Sequence, residues 1–111
     1  MNKYRKISPI SRPEAEAILS GDDLNLIRVT LVRISFHEPD YKWATSQCLN
    51  FCNHLDDEVR GVAVTCLGHI ARVHGKIDTE TVTPILERLL LDPAIAGSVE
   101  DAISDIKRFA Q

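Results

Sequence analysis

Aromatic residues are scarce in this chain: one Trp, two Tyr and three Phe among 111 residues. A core built from it must be aliphatic and alanine-rich, which suits packed helices better than a β-sandwich. No segment shows strand alternation, and Val and Ile fall at helical spacing. No apolar run approaches the ~20 residues of a membrane span. The opening MNKYRKISPI has charge but no apolar run after it, so it does not read as a secretory signal. A basic surplus is also missing. Thirteen Lys and Arg against 16 Asp and Glu leave a net charge of −3. The only basic cluster, Lys3, Arg5 and Lys6, lies beside the N-terminus, and a nucleic-acid binder usually shows a basic face. Glycine-rich phosphate loops, a serine elbow and HExxH are all absent. Three cysteines, Cys48, Cys52 and Cys66, are an odd number without loop-type pairing. That suits a reducing cytosol, where buried thiols act as small apolar groups. The expectation is a single domain over 1–111, cytoplasmic and non-enzymatic, with no membrane or nucleic-acid partner.

What is present is a series of helix starts and stops. Ser11-Arg12-Pro13-Glu14 reads as a capping box with proline in the first turn, predicting a short helix that stops near Ser20-Gly21. Asp22-Asp23 opens a second helix, with Leu24, Ile27, Leu31 and Ile34 on one stripe. Pro39 ends it, and Asp40 caps a third with Ala44, Cys48, Phe51, Cys52 and Leu55 inward. Asp56 or Asp57 caps a fourth carrying Val59, Ala63, Cys66, Leu67 and Ile70, with Gly75 as its stop. Asp78 caps a fifth with Val82, Ile85, Leu86, Leu89 and Leu90 inside; Pro84 should fall in its first turns or kink it. Asp92-Pro93 opens a sixth, with Val99, Ala102, Ile103, Ile106 and Phe109 inward; Ser98 and Asp101 offer a second start.

The fourth helix overlays the sixth at a shift of 36 residues. Asp56 falls on Asp92, Val59 on Ile95, Gly61 on Gly97, Cys66 on Ala102, Leu67 on Ile103 and Ile70 on Ile106. Helices three and five align at a shift nearer 34, with Cys48 on Val82, Phe51 on Ile85 and Leu55 on Leu89. A period in the mid-thirties with one helix pair per unit is the signature of an α-solenoid. The fourth helix also holds Gly61 and Gly68, each costing roughly 1 kcal/mol relative to alanine in a helix interior. Both are expected to admit a neighbouring helix.

The run Asp-Glu-Val-Arg…Ala…Cys-Leu-Gly over residues 57–68 resembles a HEAT repeat. The resemblance implies that an Asp caps the first helix, that Val59 packs between layers, and that an acid of a neighbouring repeat holds Arg60. The expected fold is all-α: a HEAT-like right-handed α-solenoid of about three helix pairs with a short N-terminal helix. A further resemblance covers most of the chain. PEAEAILSGD, HEPDYKWATSQCLNF, DDEVRGVAVTCLGHIARVHGKID and VEDAISDIKRF are similar to small bacterial HEAT-like proteins encoded beside polymorphic toxins. Some of these are immunity proteins of contact-dependent growth inhibition. The implied activity is binding and blocking a cognate toxin domain, commonly a nuclease. The alternative is a HEAT-like scaffold or adaptor with an unrelated protein partner.

Candidate contact residues follow from spacing. Trp43, Gln47, Asn50 and His54 step by four, three and four along the third helix, with Asp40 and Tyr41 at its start. They offer a partner-binding strip with Trp43 as its hot spot; otherwise Trp43 packs on the N-terminal helix. Asp57, Glu80 and Glu87 could extend it as an acidic surface, although acids at a helix start are also favoured by the dipole. A modestly acidic blocker suits a basic toxin. No cofactor or metal is expected. Cys48 and Cys52 fall on core stripes, and His69 and His74, five apart, lie roughly 140° apart around a helix. The free chain is expected to be a monomer.

Overall fold

The structure is a computed structural model that describes residues 7–110. Lys3, Arg5 and Lys6 lie outside the described residues. Among those described there are six α-helices and no strand: α1 Arg12–Leu19, α2 Leu24–His37, α3 Tyr41–Phe51, α4 Asp57–His74, α5 Thr79–Leu89 and α6 Ala96–Phe109. The short N-terminal helix is one of the six, so three full pairs beside it are not present.

Five helices start on a side-chain cap, each satisfying an orphan amide of the first turn. Ser11 accepts from the Glu14 N–H, Asp23 from Leu26, Asp40 from Trp43, Asp56 from Val59 and Asp78 from Thr81. Pro13 stands in the first turn of α1. Gly75 ends α4 with φ 71°, a left-handed position that glycine adopts without a Cβ penalty. Pro84 lies inside α5 rather than in its first turn.

The sixth helix departs from expectation. Asp92 does not cap it; the helix starts at Ala96, and Ile95 in the cap position offers no side-chain bond. Pro93 instead turns the chain, with the Ile95 amide donating to the Asp92 carbonyl. Asp-Pro suits the first two positions of such a turn.

Helices α2, α4 and α6 lie side by side and run parallel. The Phe36 and His69 rings meet at 4.8 Å, while Arg28 and Glu58 meet at 3.5 Å near the starts of α2 and α4. Gly61 faces Ile95 and Ser98, and Gly68 faces Ala102 and Asp105. α3 packs antiparallel on α4: Tyr41, at the start of α3, meets His74, at the end of α4, at 5.4 Å. α1 lies against α2, with the preceding segment tied to the far end of α2 by Arg33 to the Ser8 and Pro9 carbonyls. α5 packs on α6. The molecule is nearly equidimensional, 31 × 31 × 30 Å.

The core runs along α4, which meets helices on three sides. It buries Val59, Ala63, Val64, Cys66, Leu67, Gly68, Ile70 and Ala71. The α2 stripe of Ile27, Leu31 and Ile34 is buried as its spacing predicts, with Leu24 half-buried. Two expected core residues are not inside. Leu55 is 96% exposed, because α3 stops at Phe51 and the following loop loses the helical phase. Leu90 is 37% exposed at the end of α5. Phe51, Ile85, Leu89, Ile103 and Phe109 are half-buried.

Candidate partner interface

Parallel packing brings the N-termini of α2, α4 and α6 to one end of the molecule. Acidic residues collect there because each helix start favours them. Asp56, Asp57 and Glu58 stand at the start of α4, and Asp92 in the turn before α6. Arg28 reaches across from α2, 3.8 Å from Asp56 and 3.5 Å from Glu58, and also bonds to Asn25. Four carboxylates against Arg28 and Arg60 leave this end net negative.

Arg60 ties two loops together. Its Nε donates to Asp92 Oδ2 at 3.1 Å, and its Nη1 donates to the His54 and Leu55 carbonyls at 2.9 and 3.1 Å. Asp92 Oδ1 meanwhile accepts from the Ala94 amide. The α3–α4 and α5–α6 loops are therefore held side by side. Each presents a leucine to solvent: Leu55 is 96% exposed and Leu91 86%. The backbone that carries both leucines is thus tied at Leu55 and beside Leu91.

Beside the loops an open groove of about 560 Å³ runs between α2, α4 and the start of α6. Gly61, Val62 and Thr65 line it from α4, Arg28 and Val32 from α2, and Ile95 and Ser98 from the α6 side. Asp57 and Glu58 stand at its mouth and His69 at its far end. Burial lowers the His69 pKa; Arg72 lowers it further, while Asp105 opposes the shift. The His69 Nδ1 lies 2.7 Å from an Arg72 guanidinium nitrogen, so it is held as an acceptor.

The residues nominated from spacing are distributed over several surfaces. Trp43, Gln47 and Asn50 do follow one another along α3; Trp43 and Gln47 are half-buried and Asn50 is exposed. The Arg12 guanidinium sits 4.3 Å over the Trp43 ring and 3.6 Å from Asp40, so α1 covers this end of the strip. Tyr41 points elsewhere, against His74, with Lys76 5.5 Å over its ring. His54 is not on α3. It lies in the following loop, where its Nδ1 accepts from the Asp56 amide and its ring stacks on Phe51. Asp57 belongs to the groove mouth. Glu80 and Glu87 are exposed on α5, and no hydrogen bond or ion pair among the described residues joins them to the α3 strip or to Asp57.

Leu55 and Leu91 were not legible as surface residues from hydrophobic periodicity, which places Leu55 in the core. A signal was present nonetheless. Leu-Asp recurs at 55–56 and 91–92, each time just past a helix end, at the same 36-residue shift as the helices.

The sulfur groups are inert by position. Cys48, Cys52 and Cys66 are all free and buried. Burial, and secondarily Cys66, pushes Cys52 up to about 12, and the neighbouring Cys66 thiol, then burial, raise Cys48. Among the described residues no helix is long and apolar enough to cross a membrane.

No protein-family model matches the chain, and no curated protein matches it. Among solved structures it resembles a chain in the crystal structure of a CDI complex from Cupriavidus taiwanensis LMG 19424. The two share 28% identity with a TM-score of 0.87, over 100% of both chains.

Proposed function

We propose that this chain is an immunity protein of contact-dependent growth inhibition, which binds a cognate toxin domain in the cytoplasm of the producing cell and neutralises it. The observation that carries this is the full-length likeness, at 28% identity, to a chain of a CDI complex. The likeness spans the full length of both chains, so it is not confined to a generic helical hairpin. Repeat folds host many functions, and the exposed, acidic helix-start end supports a protein-binding role rather than one on nucleic acid. The parallel α2–α4–α6 layer is read as a HEAT-like right-handed stack. Neutralisation proceeds by covering the toxin's active site or substrate groove, with no chemical step on this chain.

The test is co-expression of the tagged chain with the toxin domain encoded by the adjacent upstream gene. The expected result is a stable complex in which the toxin's activity is abolished. No complex, or a complex with undiminished activity, sinks the immunity reading and favours an adaptor.

A further inference from the structure

Resting on that reading, we infer that the surface meeting the toxin is the clamped two-loop end, with Leu55 and Leu91 as its apolar anchors and Asp57 and Glu58 as its charged rim. The partner surface it fits is basic and carries two apolar sockets.

Three independent features of this end converge. First, it shows the two most exposed large apolar side chains among the described residues, at 96% and 86%. Exposed leucine is ordinary when scattered; here two are brought together by one guanidinium bonded to both loops. Second, the loops that carry the anchors are tied down. Leu55's carbonyl accepts from Arg60, and Asp92, the residue after Leu91, accepts from it as well. Fixing a contact loop beforehand removes ordering entropy from the binding step. Third, the exposed charge is mainly negative, with Asp57 and Glu58 exposed against one exposed cation, Arg88 in the last turn of α5. Arg28 and Arg60 are only 25% and 18% exposed and already engaged, whereas the Glu58 carboxylate is 76% exposed. A partner approaching this end meets carboxylates and leucines, and a basic surface is the complement. The adjoining groove gives such a partner a concave floor.

The experiment measures Kd of the toxin domain for four forms: wild type, Leu55→Ala/Leu91→Ala, Asp57→Lys/Glu58→Lys, and Gln47→Lys/Asn50→Lys on the α3 face. All six substituted positions are exposed or half-buried, and an unchanged far-UV circular dichroism spectrum and thermal midpoint certify each fold. The expected result is a rise in Kd of tenfold or more for both helix-start variants and less than threefold for the α3 variant. Wild-type binding with less than a threefold change in the two helix-start variants overturns the assignment of this surface and leaves the immunity reading standing. No binding by wild type overturns the reading itself, and this surface's role with it.

Discussion

Gly61 and Gly68 are two turns apart on α4, yet only one of them needs to be glycine. A Cβ at position 68 would lie 2.9 Å from Asp105 Oδ2, 3.3 Å from Asp105 Cβ and 3.4 Å from Ala102 Cα. There the helix does admit a neighbour: the Asp105 carboxylate would have to swing aside and its Cβ give by a few tenths of an ångström. A Cβ at 61 would meet Ile95 at 3.7 Å and Ser98 at 3.8 Å, ordinary contact at the floor of an open groove. Gly61→Ala should therefore stabilise the protein by about 0.5–1 kcal/mol through helix propensity, whereas Gly68→Ala should destabilise it by roughly 1–3 kcal/mol through overpacking. Urea denaturation midpoints moving in opposite directions would bear this out; two upward shifts would show that α6 yields at Gly68. His69 gives a pH dependence at the same scale. Its pKa is lowered in the fold, by burial first and then Arg72, so the unfolded chain binds its proton more readily. The stabilisation from neutral His69 is present above the ordinary value of 6.5 and is lost as pH falls below it through the folded value. His74 shifts in the same direction, lowered by burial and then Lys76. The thermal midpoint should fall between pH 7.5 and 5.5, and His69→Gln should flatten that slope; an equal slope in the variant would assign the effect elsewhere.

At the scale of elements, α4 determines what its neighbours do. Its small and β-branched residues allow α2, α3 and α6 to approach together. The 36-residue register predicts burial well along the helices: Val59 and Ile95, Cys66 and Ala102, and Ile70 and Ile106 are all buried. It fails where a helix begins. Asp56 caps α4, while its counterpart Asp92 is taken by Arg60 in a turn made by Pro93. Arg60 thus pairs with an acid in the loop before α6 while holding the loop before its own helix. Removing it leaves the Asp92 carboxylate and two loop carbonyls without their partner. Arg60→Ala should cost about 1–3 kcal/mol. Arg60→Lys should recover less than half of that, because one ammonium cannot reproduce the fork that spans both loops. Recovery of full stability by Lys would reduce the clamp to a point charge.

The whole molecule carries a net charge of −3, and the helix-start end contributes disproportionately because α2, α4 and α6 run in one direction. Single-sign fields of this kind act on encounter more than on the final complex. Raising salt from 50 to 300 mM should slow association with the proposed toxin partner by roughly tenfold while changing dissociation by less than about threefold, as read by stopped-flow or biosensor kinetics. A salt effect confined to dissociation would contradict electrostatic steering. Asp57→Lys/Glu58→Lys should remove most of the salt dependence.

Five of the six helix starts and most of each buried stripe could be read from the chain, because caps, prolines and 3.6-residue periodicity are local chemistry repeated every few residues. The all-helical class follows from the same signals together with the shortage of aromatics. The strip on α3 was only partly legible. Spacing aligned Trp43, Gln47 and Asn50, but could not show that Arg12 would close over the indole or that α3 would end before His54. Leu55 was misplaced for a related reason: periodicity assumes a continuing helix, and a loop resets the phase. Only the tertiary structure decided that α2, α4 and α6 run parallel, that their acidic starts share one end, and that Arg60 joins Asp92, 32 residues further along the chain, to the loop before its own helix. Those facts depend on which surfaces α4 can bring together, a property of side-chain volume summed over three helices rather than of any one segment.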